Sequence, residues 1–325
     1  MPSPPRSDRL RRGLLAVLVA ASVAVPVSGA ARPETVPAPA PSAAAPLRSA
    51  DPAALAGRYA ASRADIGAAE RAARGHGDHV RAASLHTMGT SARRFLTFDG
   101  RDGGRSAEVF GDLARAERIA VLVPGAGIDL DHYWRLRNGS RALLRELGGR
   151  SAVVAWLGYR TPRTVSSDAL TPARAAEAAP GLDAFVRELE RLKPTARTTL
   201  LCHSYGSVVC ARAAHGLRVA DIVLYGSPGT GFPDAAALRT GATVWAGRAR
   251  DDWIAGVPHI RLRLPFLELG FGPDPAGPGF GARIFAAGDG GHSDYLRPGS
   301  EPLRNMARIV AGTAGSVQLP GGHRA

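Results

Sequence analysis

Apolar residues along most of the chain fall into short continuous runs rich in valine, leucine and isoleucine, and helix-like sequence follows each run. Strands buried on both faces of a parallel sheet read as continuous apolar runs, and alternation with helices is typical of that architecture. The pattern therefore predicts six parallel strands, at residues 119–123, 152–157, 198–201, 222–225, 243–246 and 283–286.

Two shorter apolar segments, residues 95–98 and 107–110, precede these runs. An Asp-Gly pair separates them, either Asp99-Gly100 or Asp102-Gly103, and such pairs are typical of hairpin turns. We expect an antiparallel hairpin that leads into the parallel strands. The predicted fold class is α/β, with a mostly parallel twisted sheet and helices on both faces.

The segment before the hairpin consists of parts that differ in composition and in predicted structure. Residues 31–50 are rich in alanine and proline and are expected to form a linker, because this composition cannot build a packed core. Residues 51–78 predict an N-terminal helix or helical pair, with Asp51 as N-cap and Pro52 at the first helical position. We assign residues 79–316 to a catalytic domain and residues 317–325 to a flexible tail.

Residues 1–30 have the three parts of a secretory signal peptide. Four arginines lie at positions 6–12, an apolar stretch covers residues 14–27, and Ser28-Gly29-Ala30 supplies the small residues of a cleavage site. The apolar stretch is short for a membrane span of about 20 residues. We expect a secreted protein with no stable membrane span after cleavage, and the alternative is a membrane anchor formed by the uncleaved signal.

The formal net charge of the chain is +13. Four arginines and Asp8 lie within residues 1–30, so removal of that segment lowers the charge to +10. Nearly all the positive charge is arginine, Lys193 being the only lysine, and no dense basic stripe with interleaved aromatic residues occurs. The pattern argues against a nucleic-acid partner.

The chain has two cysteines, Cys202 and Cys210. Cys202 is expected to end a buried strand, and Cys210 to lie two turns along the next helix. A disulfide needs Cα atoms within roughly 7 Å of each other. We expect that separation to be exceeded, and therefore predict two buried free thiols.

The sequence Cys-His-Ser-Tyr-Gly at 202–206 joins the predicted strand 198–201 to a helix that starts near Ser207. A sharp turn from strand to helix lifts a serine hydroxyl clear of the sheet edge, which makes Ser204 the candidate nucleophile. Gly206 lets the helix pack closely on the strand, and the amide of Tyr205 is placed to donate to an oxyanion. Cys202 stands where the usual Gly-x-Ser-x-Gly pattern has its first glycine.

An activated serine needs a base, and the base needs an orienting acid. On this kind of fold the acid and then the histidine follow the serine along the chain. Asp252, after the strand at 243–246, is the predicted acid because an apolar anchor, Ile254, follows it. Asp251 is the alternative acid, and Asp234 is more consistent with a helix cap.

His292 lies in a glycine-rich loop after the last predicted strand and before the C-terminal helix, which makes it the predicted base. His203 neighbours the nucleophile but is expected to face away from it as a packing residue. The loop at 123–129, Val-Pro-Gly-Ala-Gly-Ile-Asp, is expected to supply a second oxyanion donor. Ala126 is the predicted donor, with Gly125 and Gly127 beside it.

Phosphate-binding glycine patterns do not occur in this loop or elsewhere, and the histidines and acids lack the spacing of metal ligands. We therefore expect neither a cofactor nor a metal.

Five short motifs together resemble one family, the actinobacterial α/β-hydrolase family long catalogued as a domain of unknown function. The resemblance covers roughly residues 93–313. It implies an α/β-hydrolase fold with a Ser-Asp-His triad, which here is Ser204, Asp252 and His292, and it implies no substrate. The motifs are Val-Pro-Gly-Ala-Gly-Ile-Asp, His-Ser-Tyr-Gly-Ser, Tyr-Gly-Ser-Pro-Gly, Asp-Asp-Trp-Ile and Gly-His-Ser-Asp-Tyr.

The segment between the strands ending at residue 225 and starting at residue 243 is too short for a large cap domain. Two other loops could shape a pocket: residues 160–171, and the glycine- and proline-rich residues 255–281, which are either a packed surface loop or a flap over an acyl chain. The sequence predicts a secreted serine hydrolase that cleaves carboxylic esters of a small or lipid-like acyl substrate. The alternatives are a peptidase or amidase with the same triad, and a non-catalytic binding protein on the same scaffold.

Overall fold

The structure is a computed structural model that describes residues 37–43, 45–164, 166–264 and 267–314. The predicted signal peptide, the first part of the linker and the predicted tail lie outside the described residues. The division into domains therefore stays a prediction.

The apolar runs form a single large sheet. Its strand order is β1-β2-β4-β3-β5-β6-β7-β10, and a separate hairpin pairs β8 with β9. β1 pairs antiparallel with β2, β2 pairs antiparallel with β4, and every other neighbouring pair in the large sheet is parallel. The predicted α/β class, with a hairpin leading into parallel strands, is confirmed. The strands are β1 Phe95–Asp99, β2 Arg105–Gly111, β3 Arg118–Val123, β4 Ser151–Leu157, β5 Arg197–His203, β6 Asp221–Tyr225, β7 Thr243–Gly247, β8 Leu262–Leu264, β9 Leu267–Leu269 and β10 Arg283–Ile284.

The turn between β1 and β2 uses the second of the two candidate Asp-Gly pairs. The amide of Gly104 donates to the carbonyl of Arg101 at 2.9 Å. Asp102 and Gly103, the two residues between them, have φ values of +51° and +86°. Two consecutive positive φ values are the geometry of a type I′ turn, whose twist matches that of the strands it joins.

Six α-helices cover the sheet in the described part of the chain: α1 Pro52–Gly75, α2 His79–Met88, α3 Tyr133–Leu147, α4 Ala173–Leu192, α5 Gly206–Ala213 and α6 Glu301–Ala311. The side chains of successive residues in a strand point to opposite faces of the sheet. Val121 packs in a core with α4 and α5, whereas its neighbour Leu122 packs in a second core with α1, α2, α3 and α6. Both faces are therefore apolar, which is why the strands read as continuous runs.

Two connections lack the helices that the pattern predicts. Residues 226–242 contain only the 3₁₀ turn Ala236–Leu238, and residues 248–282 contain the 3₁₀ turn Trp253–Gly256 and the β8–β9 hairpin. Glycine and proline interrupt both stretches, and these residues disfavour helix interiors. The short first connection leaves no room for a large cap domain, as predicted.

The predicted helical segment 51–78 contains one helix, α1, and a second helix, α2, follows it inside the predicted catalytic domain; residues 76–78 join the two. The Asp51 side chain accepts from the amides of Ala53 and Ala54, each at 3.0 Å, and Pro52 begins α1. Asp78 caps α2 in the same way, through the amide of Arg81 at 2.9 Å. Among the described residues, no helix is both long and apolar enough to cross a membrane.

An ion pair lies inside the hairpin end of the sheet. Two of the three guanidinium nitrogens of Arg93, Nε and Nη2, donate to the two carboxylate oxygens of Glu108, each at 2.6 Å. Arg93 and Glu108 are only 8% and 1% exposed. The rings of Phe95 and Tyr133 lie 5.1 Å and 5.4 Å from the guanidinium carbon. Because both side chains are buried, water cannot solvate either charge if its partner is removed. Each charge is therefore stabilised by the other.

We expect Glu108→Gln to lower the free energy of unfolding by about 3–5 kcal/mol, because it leaves the buried Arg93 charge without its counter-charge. Urea denaturation measures this. Glu117→Gln is the matched control, because Glu117 pairs with Arg150 at 2.7 Å in an ion pair more than half exposed on both sides. That change should cost about 0–1 kcal/mol. Equal losses in the two variants would contradict the prediction.

Candidate active site

Ser204 lies in the sharp turn between β5 and α5. Its φ is +51°, in the left-handed region that residues other than glycine rarely adopt. Gly206 makes the turn possible, since a Cβ there would lie 2.6 Å from the carbonyl oxygens of Val123 and Pro124. The helix thus starts directly against the end of β3, and the Ser204 side chain projects from the sheet edge.

The two cysteines are joined in a disulfide, so the prediction of free thiols was wrong. Their Cα atoms are 6.4 Å apart, and both residues are fully buried. The chain reverses direction at Ser204, so the second turn of α5 comes back alongside the end of β5. Counting residues along the helix without this reversal overestimated the separation. The disulfide closes a loop that contains Ser204, Tyr205 and Gly206.

His292 approaches the serine from the loop between β10 and α6. Its Nε2 is 2.9 Å from Ser204 Oγ, and its Nδ1 is 2.8 Å from Oδ1 of Asp252. An ionised carboxylate only accepts hydrogen bonds, so Nδ1 carries a proton. In the neutral ring, the lone pair of Nε2 then faces the serine hydroxyl.

Asp252 begins the 3₁₀ turn that follows β7 and is 2% exposed. Its Oδ1 also accepts from the amide of Ile254 at 2.9 Å. Burial raises the pKa of this carboxyl, but hydrogen bonds from His292, Tyr295 and Ile254 outweigh it, and the net pKa lies below the ordinary value. Asp252 is therefore ionised at neutral pH.

The other two candidate acids lie elsewhere. Asp251 is exposed and has no hydrogen-bond partner among the described residues. The carboxylate of Asp234 accepts from the amide of Ala237 at 2.8 Å, within the 3₁₀ turn Ala236–Leu238, although Ala235 holds the N-cap position of that turn.

His203 supports the His292 loop instead of only packing beneath it. Its Nε2 lies 2.8 Å from the carbonyl oxygen of His292, so this nitrogen carries a proton and donates. The two imidazole rings lie 4.7 Å apart. Burial, and to a smaller degree the nearby His292, lower the pKa of His203 to about 3. His203 is therefore uncharged at neutral pH.

Sequence reasoning assigned no role to two further residues at the site. The hydroxyl of Tyr295 donates to Oδ2 of Asp252 at 2.5 Å. Gly226 has φ +56°, and a Cβ there would lie 3.0 Å from Asp252 Oδ2 and 3.3 Å from His292 Cε1. Both residues belong to motifs of the family resemblance. Their position within those motifs was the only signal available.

The loop after β3 lies against the nucleophile. A Cβ at Gly125 would lie 2.6 Å from the Cβ of Ser204. Pro124 has no amide hydrogen, and the amide of Gly127 donates to the carbonyl of Pro162 at 2.9 Å. The amides of Ala126 and Tyr205 have no acceptor among the described residues. They remain the predicted donors to an oxyanion.

Side chains hold this loop in place from below and from the side. The hydroxyl of Tyr159 donates to the carbonyl of Pro124 at 2.7 Å, and the hydroxyl of Thr161 donates to the carbonyl of Ile128 at 2.7 Å. The buried Arg81 of α2 binds both carboxylate oxygens of Asp131, at 2.7 Å and 3.0 Å. A bidentate pair of this kind fixes orientation as well as distance.

Alkylation under denaturing conditions tests the disulfide. We expect no alkylated cysteine in the protein denatured without reductant, and two after reduction. Two alkylated cysteines before reduction would show that the disulfide is absent. Replacing both cysteines by alanine should lower the free energy of unfolding by about 2–3 kcal/mol, because the disulfide closes a short loop.

Comparison with known proteins gives a family match and several similar chains. A family model described as "Alpha/beta hydrolase" matches residues 99–262, just over half of the chain. The uncharacterized protein Rv2079 of Mycobacterium tuberculosis strain H37Rv is 33% identical over 260 residues, which cover 70% of this chain and 39% of that protein. The chain therefore spans well under half the length of this curated relative.

Two of the similar chains among solved structures are described as a serine hydrolase and an esterase. The first is XC6422 from Xanthomonas campestris, "a member of a/b serine hydrolase without lid", with a TM-score of 0.44 and 17% identity over 69% of this chain and 95% of that one. The second is the esterase LipW from Mycobacterium marinum, with a TM-score of 0.40 and 16% identity over 76% of this chain and 90% of that one.

Proposed function

The chain belongs to the alpha/beta hydrolase family, and we propose that it is a secreted serine hydrolase that cleaves carboxylic esters through an acyl-enzyme. The family resemblance that the sequence motifs indicated is confirmed by the family match and by the uncharacterized mycobacterial relative. One observation carries the catalytic proposal: the unbroken hydrogen-bonded series from Ser204 Oγ through His292 to Asp252, with distances of 2.9 Å and 2.8 Å.

Each group has a definite part in the proposed reaction. Ser204 Oγ attacks the ester carbonyl while His292 Nε2 takes its proton, and Asp252 stabilises the imidazolium that forms. The amides of Tyr205 and Ala126 donate to the oxyanion. The tetrahedral intermediate then collapses as His292 returns the proton to the leaving alcohol. His292 then takes a proton from water, and the hydroxide adds to the carbonyl of the acyl-enzyme. The second tetrahedral intermediate collapses as His292 passes that proton to Ser204 Oγ, which releases the carboxylic acid and restores the free serine.

Exposed apolar side chains near the site support a lipid-like acyl substrate. Four of the seven large exposed apolar side chains in the described residues lie in the connections that follow β4 and β7: Leu170, Trp253, Ile260 and Leu262. The Trp253 ring lies 4.7 Å from the His292 ring. The amides of Gly270 and Gly272 donate to the carbonyls of Leu170 and Ile260, at 2.9 Å and 3.2 Å. The first of these bonds joins the connection after β4 to the connection after β7, and the second lies within the connection after β7.

The disulfide supports the proposed secretion. Disulfides persist in oxidising compartments and are rare where thiols are kept reduced. The predicted signal peptide at residues 1–30 would deliver the chain to such a compartment. A membrane anchor formed by the uncleaved signal is the alternative, and N-terminal sequencing of the exported protein distinguishes the two.

Labelling with a fluorophosphonate probe tests the nucleophile. We expect the wild-type protein to be labelled at Ser204, and the variants Ser204→Ala and His292→Ala to remain unlabelled. Asp252→Asn should lower ester hydrolysis by about 10³–10⁴-fold, because the carboxylate no longer orients the histidine. Asp251→Asn is the matched control and should leave the rate unchanged. A folded wild type that resists labelling would favour a non-catalytic binding role, and faster cleavage of amides than of matched esters would favour a peptidase or amidase.

A series of p-nitrophenyl esters tests the acyl preference. We expect kcat/KM to rise from acetate to octanoate, since each buried methylene contributes about 0.8 kcal/mol. Trp253→Ala should lower kcat/KM on octanoate about tenfold and change acetate hydrolysis little, because the indole contacts the longer chain. Trp134→Ala is the control, since Trp134 is equally exposed but lies on α3, outside the connections that follow β4 and β7. A flat chain-length profile would contradict a lipid-like substrate.

A further inference from the structure

We infer that the Tyr295 hydroxyl positions the carboxylate of Asp252, and through it the imidazole of His292. This inference rests on the proposed function, because it assigns Asp252 as the acid of the triad. Oδ1 of Asp252 accepts from His292 and from the amide of Ile254. Oδ2 has one donor among the described residues, the Tyr295 hydroxyl at 2.5 Å. Without that donor, nothing would hold the second oxygen of a buried carboxylate.

The direction of this hydrogen bond is set by a second contact. The oxygen of the Tyr295 hydroxyl accepts from the amide of Ala249 at 3.0 Å. An amide can only donate, so the hydroxyl proton is free to point at Asp252. Burial and the bond to Asp252 raise the pKa of Tyr295 well above its usual value, which keeps that proton in place.

The tyrosine ring is itself immobilised. Tyr295 is 2% exposed, and its ring lies 5.3 Å from the ring of Tyr225 and 5.9 Å from that of His203. The hydroxyl therefore has one available position. Because Ala249 and Asp252 belong to the loop after β7, and Tyr295 belongs to the His292 loop, this one hydroxyl joins the two loops that carry the acid and the base.

The charged and titratable groups that face Asp252 and Tyr295 are His292, His203, Arg248 and Tyr225, and burial raises the pKa of Tyr225 so that its hydroxyl keeps its proton. Of these, His203 stays neutral. Removal of the tyrosine hydroxyl takes a donor from the carboxylate, so Asp252 becomes more basic and holds the imidazolium form of His292 more strongly. Both changes raise the pH at which the pair loses its proton. The acid limb of the kcat/KM profile should therefore move to higher pH.

Tyr295→Phe beside Tyr225→Phe is the test. The two tyrosines share the same aromatic cluster, but the Tyr225 hydroxyl has no hydrogen bond to Asp252. We expect Tyr295→Phe to lower kcat about tenfold with KM unchanged, and to move the acid limb upward. Tyr225→Phe should keep the wild-type kcat and profile. In the Asp252→Asn background, Tyr295→Phe should cause no further loss, because the tyrosine acts through the carboxylate.

A wild-type kcat and pH profile in Tyr295→Phe would overturn the inference, and so would a loss that adds fully to that of Asp252→Asn. If Tyr295→Phe does not fold, 3-fluorotyrosine at position 295 replaces it. That side chain is a stronger donor, so the acid limb should move to lower pH, and an unmoved limb would refute the role.

A readout independent of hydrolysis separates this inference from the proposed function. In Ser204→Ala, NMR titration of His292 should give a higher pKa when Tyr295→Phe is added, whether or not the wild type cleaves esters. An unchanged His292 titration overturns the positioning role alone. A wild type that is not labelled by the fluorophosphonate, together with a shifted titration, overturns the proposed function alone.

Discussion

The left-handed conformation of Ser204 is the constraint on which the rest of the site depends. A residue other than glycine in this region costs about 1–3 kcal/mol, and persists only where its surroundings hold it. Here the surroundings are unusually close. The backbone at Gly206 lies against the end of β3, Gly125 lies against the serine from the other side, and the disulfide from Cys202 to Cys210 closes the turn covalently. Cys202 stands at the position that is usually glycine in the Gly-x-Ser-x-Gly pattern. The turn therefore has a covalent cross-link where most members of the pattern have a flexible residue.

Topology then brings the other groups to the turn. In a parallel sheet, the carboxyl ends of the strands meet at one edge, so the loops after β5, β7 and β10 are neighbours although they are far apart along the chain. Asp252 and His292 come from two of these loops. Burial makes their interaction strong, and it also makes each unpaired group costly. That cost explains why Asp252 has three donors, and why the buried His203 is neutral.

The helix pair at the N-terminal end contributes to the same site from outside the matched family region, which begins at residue 99. Arg81 of α2 holds Asp131, and Asp131 lies in the segment that follows the predicted oxyanion loop. The exposed fraction of Arg81 is only 8%, so its charge depends on that carboxylate. The segment before the sheet is therefore attached to the site by a partly buried charge pair as well as by apolar packing.

The sequence by itself determined the sheet and its hairpin, and it predicted the serine and the histidine that the structure brings together. Continuous apolar runs leave few alternatives to buried parallel strands, and Ser204 and His292 each lie in a distinctive turn. Only the tertiary structure shows that Asp252, and not Asp251, contacts His292, because the side chains of adjacent residues point in different directions and spacing along the chain does not tell them apart. The disulfide, the donor from His203 and the hydroxyl of Tyr295 were also beyond the sequence, because each depends on distances across a reversed or distant chain segment. Local sequence patterns show which face of a helix or strand is apolar. Contacts between loops form only after the sheet has assembled and brought the ends of its strands together.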